Sequence, residues 1–256
     1  MKDKEIIIRV EHLYAGYHGR AIMEDLNFEV GKGEIFVILG GSGCGKSTVL
    51  KHMIGLVPPI SGQVLIHGQD MVAARGKKRI RLLRQIGVAF QNGALFGSMT
   101  VLENIMLPLT EFTALPYEAA RAVALAKLGL VNLNRNSHRL PGELSGGMRK
   151  RAAIARAMAL DPEVLFLDEP SAGLDPLTSA EVDQLIRDLA QTLGITFVIV
   201  THELESILTI ADNTIMLEKE TRGIIARGHP KDLKTDPEND YAYRFFNRNP
   251  GKEMIS

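Results

Sequence analysis

The segment from Ile35 to Ser47 limits the possible folds of this chain more than any other. A continuous apolar run, Ile35–Leu39, is followed at once by GGSGCGKS, residues Gly40–Ser47. An uninterrupted apolar run is typical of a strand that is buried on both faces, as in parallel sheets. The loop matches G-x-x-x-x-G-K-[ST], in which glycines let backbone N–H groups surround phosphate oxygens before a helix begins. The sequence therefore predicts strand, phosphate-binding loop and helix in an α/β fold.

The same loop carries two side chains suited to a nucleotide triphosphate. Lys46 would reach the β- and γ-phosphates, and the hydroxyl of Ser47 would ligate Mg²⁺. The alternative is a flexible glycine turn without function. The position of the loop between a buried strand and a helix favours the phosphate site.

A second buried strand, Val164–Leu167, ends in two acids, Asp168 and Glu169. Ligands of parallel sheets bind beyond the carboxyl ends of the strands. Asp168 can then hold the Mg²⁺ shell, and Glu169 can orient or deprotonate an attacking water. Alone, such a pair is commonly part of a solvated loop, but the phosphate loop upstream favours a catalytic role.

The strand Thr196–Thr201 leads directly to His202. A single histidine is usually structural. Because neighbouring parallel strands end at the same sheet edge, His202 could contact the γ-phosphate there.

A third candidate segment is LSGGMRKR, residues Leu144–Arg151. Ser145 is a suitable N-cap, and Gly146 and Gly147 leave the first backbone N–H groups uncovered. Helix first turns favour acids, yet the first turns of this helix carry Arg149, Lys150 and Arg151. The pattern indicates a helix start that binds an external anion such as a nucleotide phosphate. An ordinary glycine turn before a basic surface helix is the other interpretation.

Composition restricts the function further. Lys+Arg and Asp+Glu are both 30 in 256 residues, which argues against a broad nucleic-acid-binding surface. The single cysteine, Cys44, cannot form an internal disulfide and favours a reducing compartment. No apolar stretch reaches the roughly 20 residues of a spanning helix, and no signal peptide is evident. Any membrane role would then need partner chains.

The pattern of strands and helices predicts one domain with an insertion. Residues 1–92 and 161–230 form an α/β core, residues 93–160 a helical insertion, and residues 231–256 a tail. The predicted elements are strands at Ile6–Val10, Leu26–Val30, Val64–Ile66 and Val88–Phe90, and helices at Ser47–Gly55, Lys77–Arg84, Ala119–Leu128, Met148–Leu160 and Ser179–Leu193.

Together these segments resemble the ATP-binding subunit of ABC transporters over nearly the whole chain. Gly40–Ser47 matches the Walker A motif, and Val164–Asp168 matches Walker B. Leu144–Met148 matches the LSGGQ signature, with Met148 in place of glutamine. The resemblance implies a P-loop NTPase (RecA-like) parallel-sheet core with a small N-terminal antiparallel β subdomain and an inserted helical subdomain.

The resemblance also implies roles for single residues. Glu169, His202 and Lys46 would be catalytic, and Ser47, Gln91 and Asp168 would ligate Mg²⁺. Tyr17 would stack on adenine, and residues 171–175 would form the D-loop. The implied nucleotide-binding residues are Tyr17, Gly40, Gly41, Ser42, Gly43, Cys44, Gly45, Lys46, Ser47, Thr48, Gln91, Ser145, Gly146 and Gly147.

Partners follow from the same resemblance. It implies a homodimer with ATP at the interface, bound to integral membrane permease subunits at the cytoplasmic face of the inner (cell) membrane. Gln91–Phe96 and Met148 resemble the Mla-type subgroup, which transports phospholipid between bacterial inner and outer membranes and could add lipid-binding partner proteins. An importer ATPase for a small polar solute and a non-transport ABC ATPase are the alternatives. A switch GTPase is disfavoured because the chain lacks N-K-x-D.

Two further contacts are predicted. The segment Ala94–Met99 would meet the membrane subunit. The tail aromatics Tyr241, Tyr243, Phe245 and Phe246 would dock on the other ATPase subunit, with packing on their own domain as the alternative.

Overall fold

The computed structural model describes residues 5–236 and 239–248. These described residues fall into two compact units. The first unit comprises those up to Val72 and from Val200 onward, and the second comprises Ala73–Ile199. The elements in chain order are β1 (Ile6–Tyr17), β2 (Arg20–Gly31), β3 (Ile35–Gly40), α1 (Lys46–Met53), β4 (Ser61–Ile66), β5 (Gln69–Asp70), α2 (Gly76–Arg84), β6 (Ile86–Ala89), α3 (Val101–Phe112), α4 (Tyr117–Leu130), α5 (Gly146–Ala157), β7 (Val164–Asp168), α6 (Pro176–Leu193), β8 (Thr196–Val200), α7 (Leu204–Ile210), β9 (Asn213–Glu218), β10 (Gly223–Gly228), α8 (Pro230–Thr235) and α9 (Asp240–Phe246). Short 3-10 helices lie at Asn134–Asn136 and Pro141–Glu143.

An antiparallel sheet of the first unit has the strand order β2-β1-β4-β5. β1 and β2 are longer than the predicted strands because bulges interrupt their alternation. His12 and Asp25 lie at these irregularities with φ of 47° and 46°. The hairpin turns at His18 and Gly19, whose φ values of 52° and 74° are both positive, as a two-residue hairpin turn of this kind requires.

The strand that leads to the phosphate loop is buried along its whole length. All six residues of β3 are buried, and β3 pairs in parallel with β9. β10 continues this part of the sheet as the antiparallel neighbour of β9. The apolar run Ile35–Leu39 therefore forms the predicted kind of strand.

The second unit carries the strand order β8-β7-β6. β6 and β7 are parallel, with Val88 opposite Phe166, and every residue of β7 is buried. The predicted helix at Ser179 begins earlier, at Pro176. Asp175 caps it by accepting from the backbone N–H of Thr178, and the proline occupies the first turn.

The tail aromatics lie on α9, which packs against α8. Phe246 is buried, whereas Tyr243 is exposed. Phe246 therefore packs within its own unit, as the alternative interpretation of the tail has it. Docking of the other aromatics on a second subunit stays a prediction.

Candidate functional site

The phosphate loop adopts backbone angles that favour glycine. Gly40, Gly43 and Gly45 have φ of 150°, 73° and 108°. A Cβ on Gly40 would lie 2.4 Å from the carbonyl oxygen of Leu217, so close packing also excludes a side chain there. The glycine pattern thus reflects both backbone angle and space.

The ammonium of Lys46 lies inside this loop. Its Nζ donates to the carbonyl oxygens of Gly40 (2.8 Å) and Gly41 (3.0 Å). Ser47 and Thr48 follow in the first turn of α1, which has no acidic residue and no side-chain cap. The first N–H groups of α1 and a fixed ammonium therefore face the same loop, as binding of a phosphate requires.

The side chain of Cys44 is buried against the loop, next to Gly40. Its side chain is 2% exposed, and its Sγ is 2.8 Å from where a Cβ on Gly40 would be. Burial raises the pKa of this thiol, although the charge of Lys46 opposes the shift.

Tyr17, the predicted adenine-stacking residue, ends β1. The N–H of Gly16, its neighbour, donates to Nε2 of His52 on α1 (3.0 Å), and the rings of Tyr17 and His52 have centroids 6.2 Å apart. Because Nε2 accepts, Nδ1 carries the proton and donates to the carbonyl oxygen of Val57 (3.0 Å). His52 therefore ties the Tyr17 segment to the helix that follows the phosphate loop. The sequence offered no signal for this contact beyond a lone histidine.

His202 directly follows Thr201, whose backbone is hydrogen-bonded to β3. The N–H of Thr201 donates to the carbonyl oxygen of Ile38 at 3.3 Å. Nε2 of His202 lies 3.7 Å from a carboxylate oxygen of Glu203. His202 thus sits beside the strand that leads to the phosphate loop.

In the second unit, the two predicted acids end β7. Asp168 and Glu169 are both buried, and Glu169 has a φ of 50°, in the left-handed region. Nζ of Lys150 donates to the carbonyl oxygen of Glu169 (2.7 Å) and to that of Gln91 (2.6 Å). Burial lowers the pKa of Lys150, while the charges of Glu169 and Asp168 oppose the shift. Sequence reasoning missed this lysine because its partners are backbone atoms far away in the chain.

The signature segment begins α5 as predicted. Ser145 is the N-cap, and its Oγ accepts from the N–H of Met148 at 3.3 Å. A Cβ on Gly147 would lie 2.3 Å from a methyl carbon of Thr178, and one on Gly146 would lie 3.0 Å from a methyl carbon of Leu174. These glycines therefore let the helix start pack closely against the first turn of α6 and the segment before it.

A polar cavity of about 490 Å³ brings three predicted segments of the second unit together. It is lined by the Gln91 loop, the signature helix and the predicted D-loop. The lining residues are Gln91, Asn92, Gly93, Gly146, Arg149, Lys150, Ala172, Gly173 and Leu174.

The residues present fit ATP and Mg²⁺. The loop at Gly40 has the backbone cradle and the ammonium that phosphates need. Ser47 in the first unit has a hydroxyl oxygen, and Gln91 and Asp168 in the second have amide and carboxylate oxygens. All three are of the types that Mg²⁺ prefers as ligands. The first unit holds Tyr17, the phosphate loop and His202, and the second holds Gln91, Asp168, Glu169 and the signature segment.

A sequence profile of the family described as "ABC transporter" matches residues 23–172. The chain belongs to the ABC transporter family. Among the residues that the structure describes, none of the helices has both the length and the apolar character for crossing a bilayer.

Two transport ATP-binding proteins are among the similar sequences. The probable ribonucleotide transport ATP-binding protein Mkl of Mycobacterium leprae is 42% identical over 212 residues, covering 83% of this chain and 61% of Mkl. This chain therefore spans about three fifths of the length of that relative. The intermembrane phospholipid transport system ATP-binding protein MlaF of Haemophilus influenzae is 37% identical over 227 residues, covering 89% and 85% of the two chains.

Solved structures resemble the chain closely. CbiO1 from Clostridium perfringens, part of the ABC transporter complex CbiONQ, superposes with a TM-score of 0.82 at 30% identity, covering 94% of this chain and 95% of CbiO1. The ATP-binding cassette MJ0796, a dimer in a post-hydrolysis state bound to ADP and Pi, superposes with a TM-score of 0.78 at 29% identity, covering 87% and 98%. These likenesses confirm the predicted P-loop α/β fold class.

Proposed function

We propose that this chain is an ATP-binding and ATP-hydrolysing subunit that powers a membrane ABC transporter. The observation that carries the proposal is the phosphate loop, in which Lys46 lies at hydrogen-bond distance from the carbonyls of Gly40 and Gly41. Membership of the ABC transporter family supports it.

Each residue has a defined task in this proposal. Lys46 and the N–H groups of the loop bind the phosphates, and Tyr17 stacks on adenine. Ser47, Gln91 and Asp168 would hold Mg²⁺, which would neutralise phosphate charge when bound. Glu169 takes the proton of the attacking water, and His202 contacts the γ-phosphate.

The proposal includes a homodimer. The glycine-rich start of α5 lacks an acid in its first turn, which suits the phosphates of ATP bound to a second copy. The dimeric state of the similar MJ0796 structure supports this arrangement.

The proposed cargo is phospholipid, moved between the bacterial inner and outer membranes, with the chain at the cytoplasmic face of the inner membrane. Permease subunits and lipid-binding proteins would be its partners. The named relative MlaF supports this choice. The other named relative, Mkl, favours a small polar solute such as a ribonucleotide as the second candidate.

The substitution Glu169→Gln tests the proposed hydrolysis. It keeps the size of the side chain and removes the base, so we expect turnover to fall by about 10²- to 10⁴-fold with ATP affinity nearly unchanged. Steady-state ATPase assays and equilibrium nucleotide binding measure the two effects.

The exposed Glu181 on α6 provides the matched control. Glu181→Gln makes the same chemical change outside the site and should turn over ATP like the wild type. A Glu169→Gln variant with wild-type turnover would exclude Glu169 as the base.

A further inference from the structure

Lys150 joins two segments that are far apart in the chain. Its ammonium donates to the carbonyl oxygen of Gln91 at 2.6 Å and to that of Glu169 at 2.7 Å. Lys150 itself lies in the second turn of α5, the helix that the signature segment begins. One side chain thus connects the Gln91 loop, the signature helix and the residue after β7.

The backbone of Glu169 needs such a contact. With a φ of 50°, it is a non-glycine residue in the left-handed region, a conformation that persists only where the surroundings fix it. Its carbonyl oxygen accepts from Lys150 and, at 3.3 Å, from the N–H of Ala172. The direction of this backbone sets where the Glu169 carboxylate points.

The Gln91 loop is held by the same helix at a second place. The guanidinium of Arg156 donates to the carbonyl oxygens of Ala94 (2.7 Å) and Gly93 (3.1 Å). Lys150 and Arg156 therefore anchor both ends of the stretch from Gln91 to Ala94 on α5. Charge-assisted hydrogen bonds of this kind are stronger than neutral ones.

We propose that Lys150 is a positioning residue for ATP hydrolysis, because it fixes the backbone of Glu169 relative to the Gln91 loop. The inference rests on the proposed function. Lys150 acts through Glu169 and Gln91 and is assigned no contact with the nucleotide. A lysine suits the task, since its ammonium has three donors and can serve two carbonyls at once.

If Lys150 only stabilised the fold, its variants would behave differently from those of a positioning residue. A matched set of full-length variants distinguishes the two roles. Lys150→Met removes the donor, and Lys150→Arg restores a cation with several donors. Lys127→Met is the control, because Lys127 is a buried lysine of the same unit, and its ion pair with Asp161 lies outside the candidate site. For each variant, kcat, the Kd of ATP and the thermal midpoint are measured.

We expect Lys150→Met to lower kcat by at least about tenfold with the Kd for ATP within about threefold of wild type, since small misplacements of catalytic groups cost rate and not binding. Lys150→Arg should recover part of the lost rate. Lys127→Met should keep the wild-type kcat even where its thermal midpoint falls. If Lys150→Met does not fold, Lys150→Gln takes its place under the same criteria.

The possible results separate the two claims. If the wild-type protein hydrolyses ATP and Lys150→Met has the same kcat, this inference alone is overturned. The inference is also overturned if Lys127→Met loses as much kcat as Lys150→Met does. A wild-type protein that binds ATP but never hydrolyses it overturns the proposed function, and this inference falls with it.

Discussion

Single residues of the phosphate loop are constrained by backbone angle and by space at once. At Gly40 the φ of 150° and the carbonyl oxygen of Leu217 both exclude a side chain. At Gly45 the φ is 108°, and a Cβ would approach the side chain of Ile22 to 2.8 Å. The spacing G-x-x-x-x-G-K-S therefore predicts the loop well, because few other residues could occupy these positions.

Cys44 gives a test of this loop at the scale of one residue. Its burial raises the pKa of the thiol above the ordinary value of 9.0, so the thiol is protonated at neutral pH. Because only the thiolate reacts, alkylation by iodoacetamide should be slow at pH 7 and rise about tenfold per pH unit towards pH 9. Alkylation should abolish ATP hydrolysis, because the added group forces the loop around Gly40 to move.

The chain has one cysteine, so mass spectrometry of the whole protein measures the modification directly. Bound nucleotide should slow the reaction by holding the loop closed over the thiol. A fully alkylated protein with normal ATPase activity would show that Cys44 does not lie under the phosphate loop.

Residues that hold the site in place were harder to predict than those that bind phosphate. His52 and Lys150 act through backbone atoms of Gly16, Gln91 and Glu169, and any sequence can supply a backbone carbonyl or N–H group. Such contacts arise only after tertiary packing and leave no local pattern. The assigned roles of the site residues themselves stay predictions.

At the scale of whole elements, the strands that are buried along their whole length were the easiest to predict from the sequence. β3 and β7 are buried throughout, so a continuous apolar run identified each of them. β1 and β2 were predicted only in part, because register shifts break the alternation on which such predictions depend. β9 and β10 were not predicted as strands. β9 is buried from Thr214 to Leu217, so burial alone does not account for this miss, whereas β10 has one buried residue and no long apolar run.

α9 is the element whose role the structure divides into two parts. Phe246 is 4% exposed and packs within the first unit, whereas Tyr243 is 38% exposed. Phe246→Ala should therefore lower the free energy of unfolding by about 3 kcal/mol, as truncation of a buried phenylalanine does. Tyr243→Ala should change it by less than about 0.5 kcal/mol and should instead weaken dimerisation.

Urea unfolding and sedimentation velocity distinguish the two effects. The pair of substitutions is its own control, since both remove an aromatic ring from the same helix. An unchanged dimer population in Tyr243→Ala would count against docking of the tail on the second subunit.

The division of the chain into an α/β core, a helical insertion and a tail also stays a prediction.

At the scale of the whole molecule, the proposed transport function requires a surface that contacts a membrane subunit. The second unit has an apolar groove of about 450 Å³ that includes Phe96 and Phe112. Both phenylalanines are about half exposed, at 51% and 52%. Asn104 holds Phe96 in place, since its Oδ1 accepts from the N–H of Phe96 (2.8 Å) and its Nδ2 donates to the carbonyl oxygen of Phe96 (3.1 Å). A fixed, exposed aromatic residue beside an apolar groove is suited to a partner surface.

Under the proposed function, Phe96→Asp should separate this chain from the membrane subunit. Burying an aromatic side chain of this size contributes about 1.5–3 kcal/mol, and a buried, unpaired carboxylate adds a further cost. We therefore expect ATP binding to persist while co-purification with the membrane subunit in mild detergent falls. Tyr117→Asp is the matched control, because Tyr117 is an exposed aromatic residue at the start of α4 in the same unit and is not part of this groove.

The same purification tests the cargo. Phospholipid extracted from the wild-type complex supports lipid transport, and a ribonucleotide-binding or amino-acid-binding partner without lipid supports the polar-solute alternative. Wild-type assembly of the Phe96→Asp variant would place the contact with the membrane subunit elsewhere on the chain.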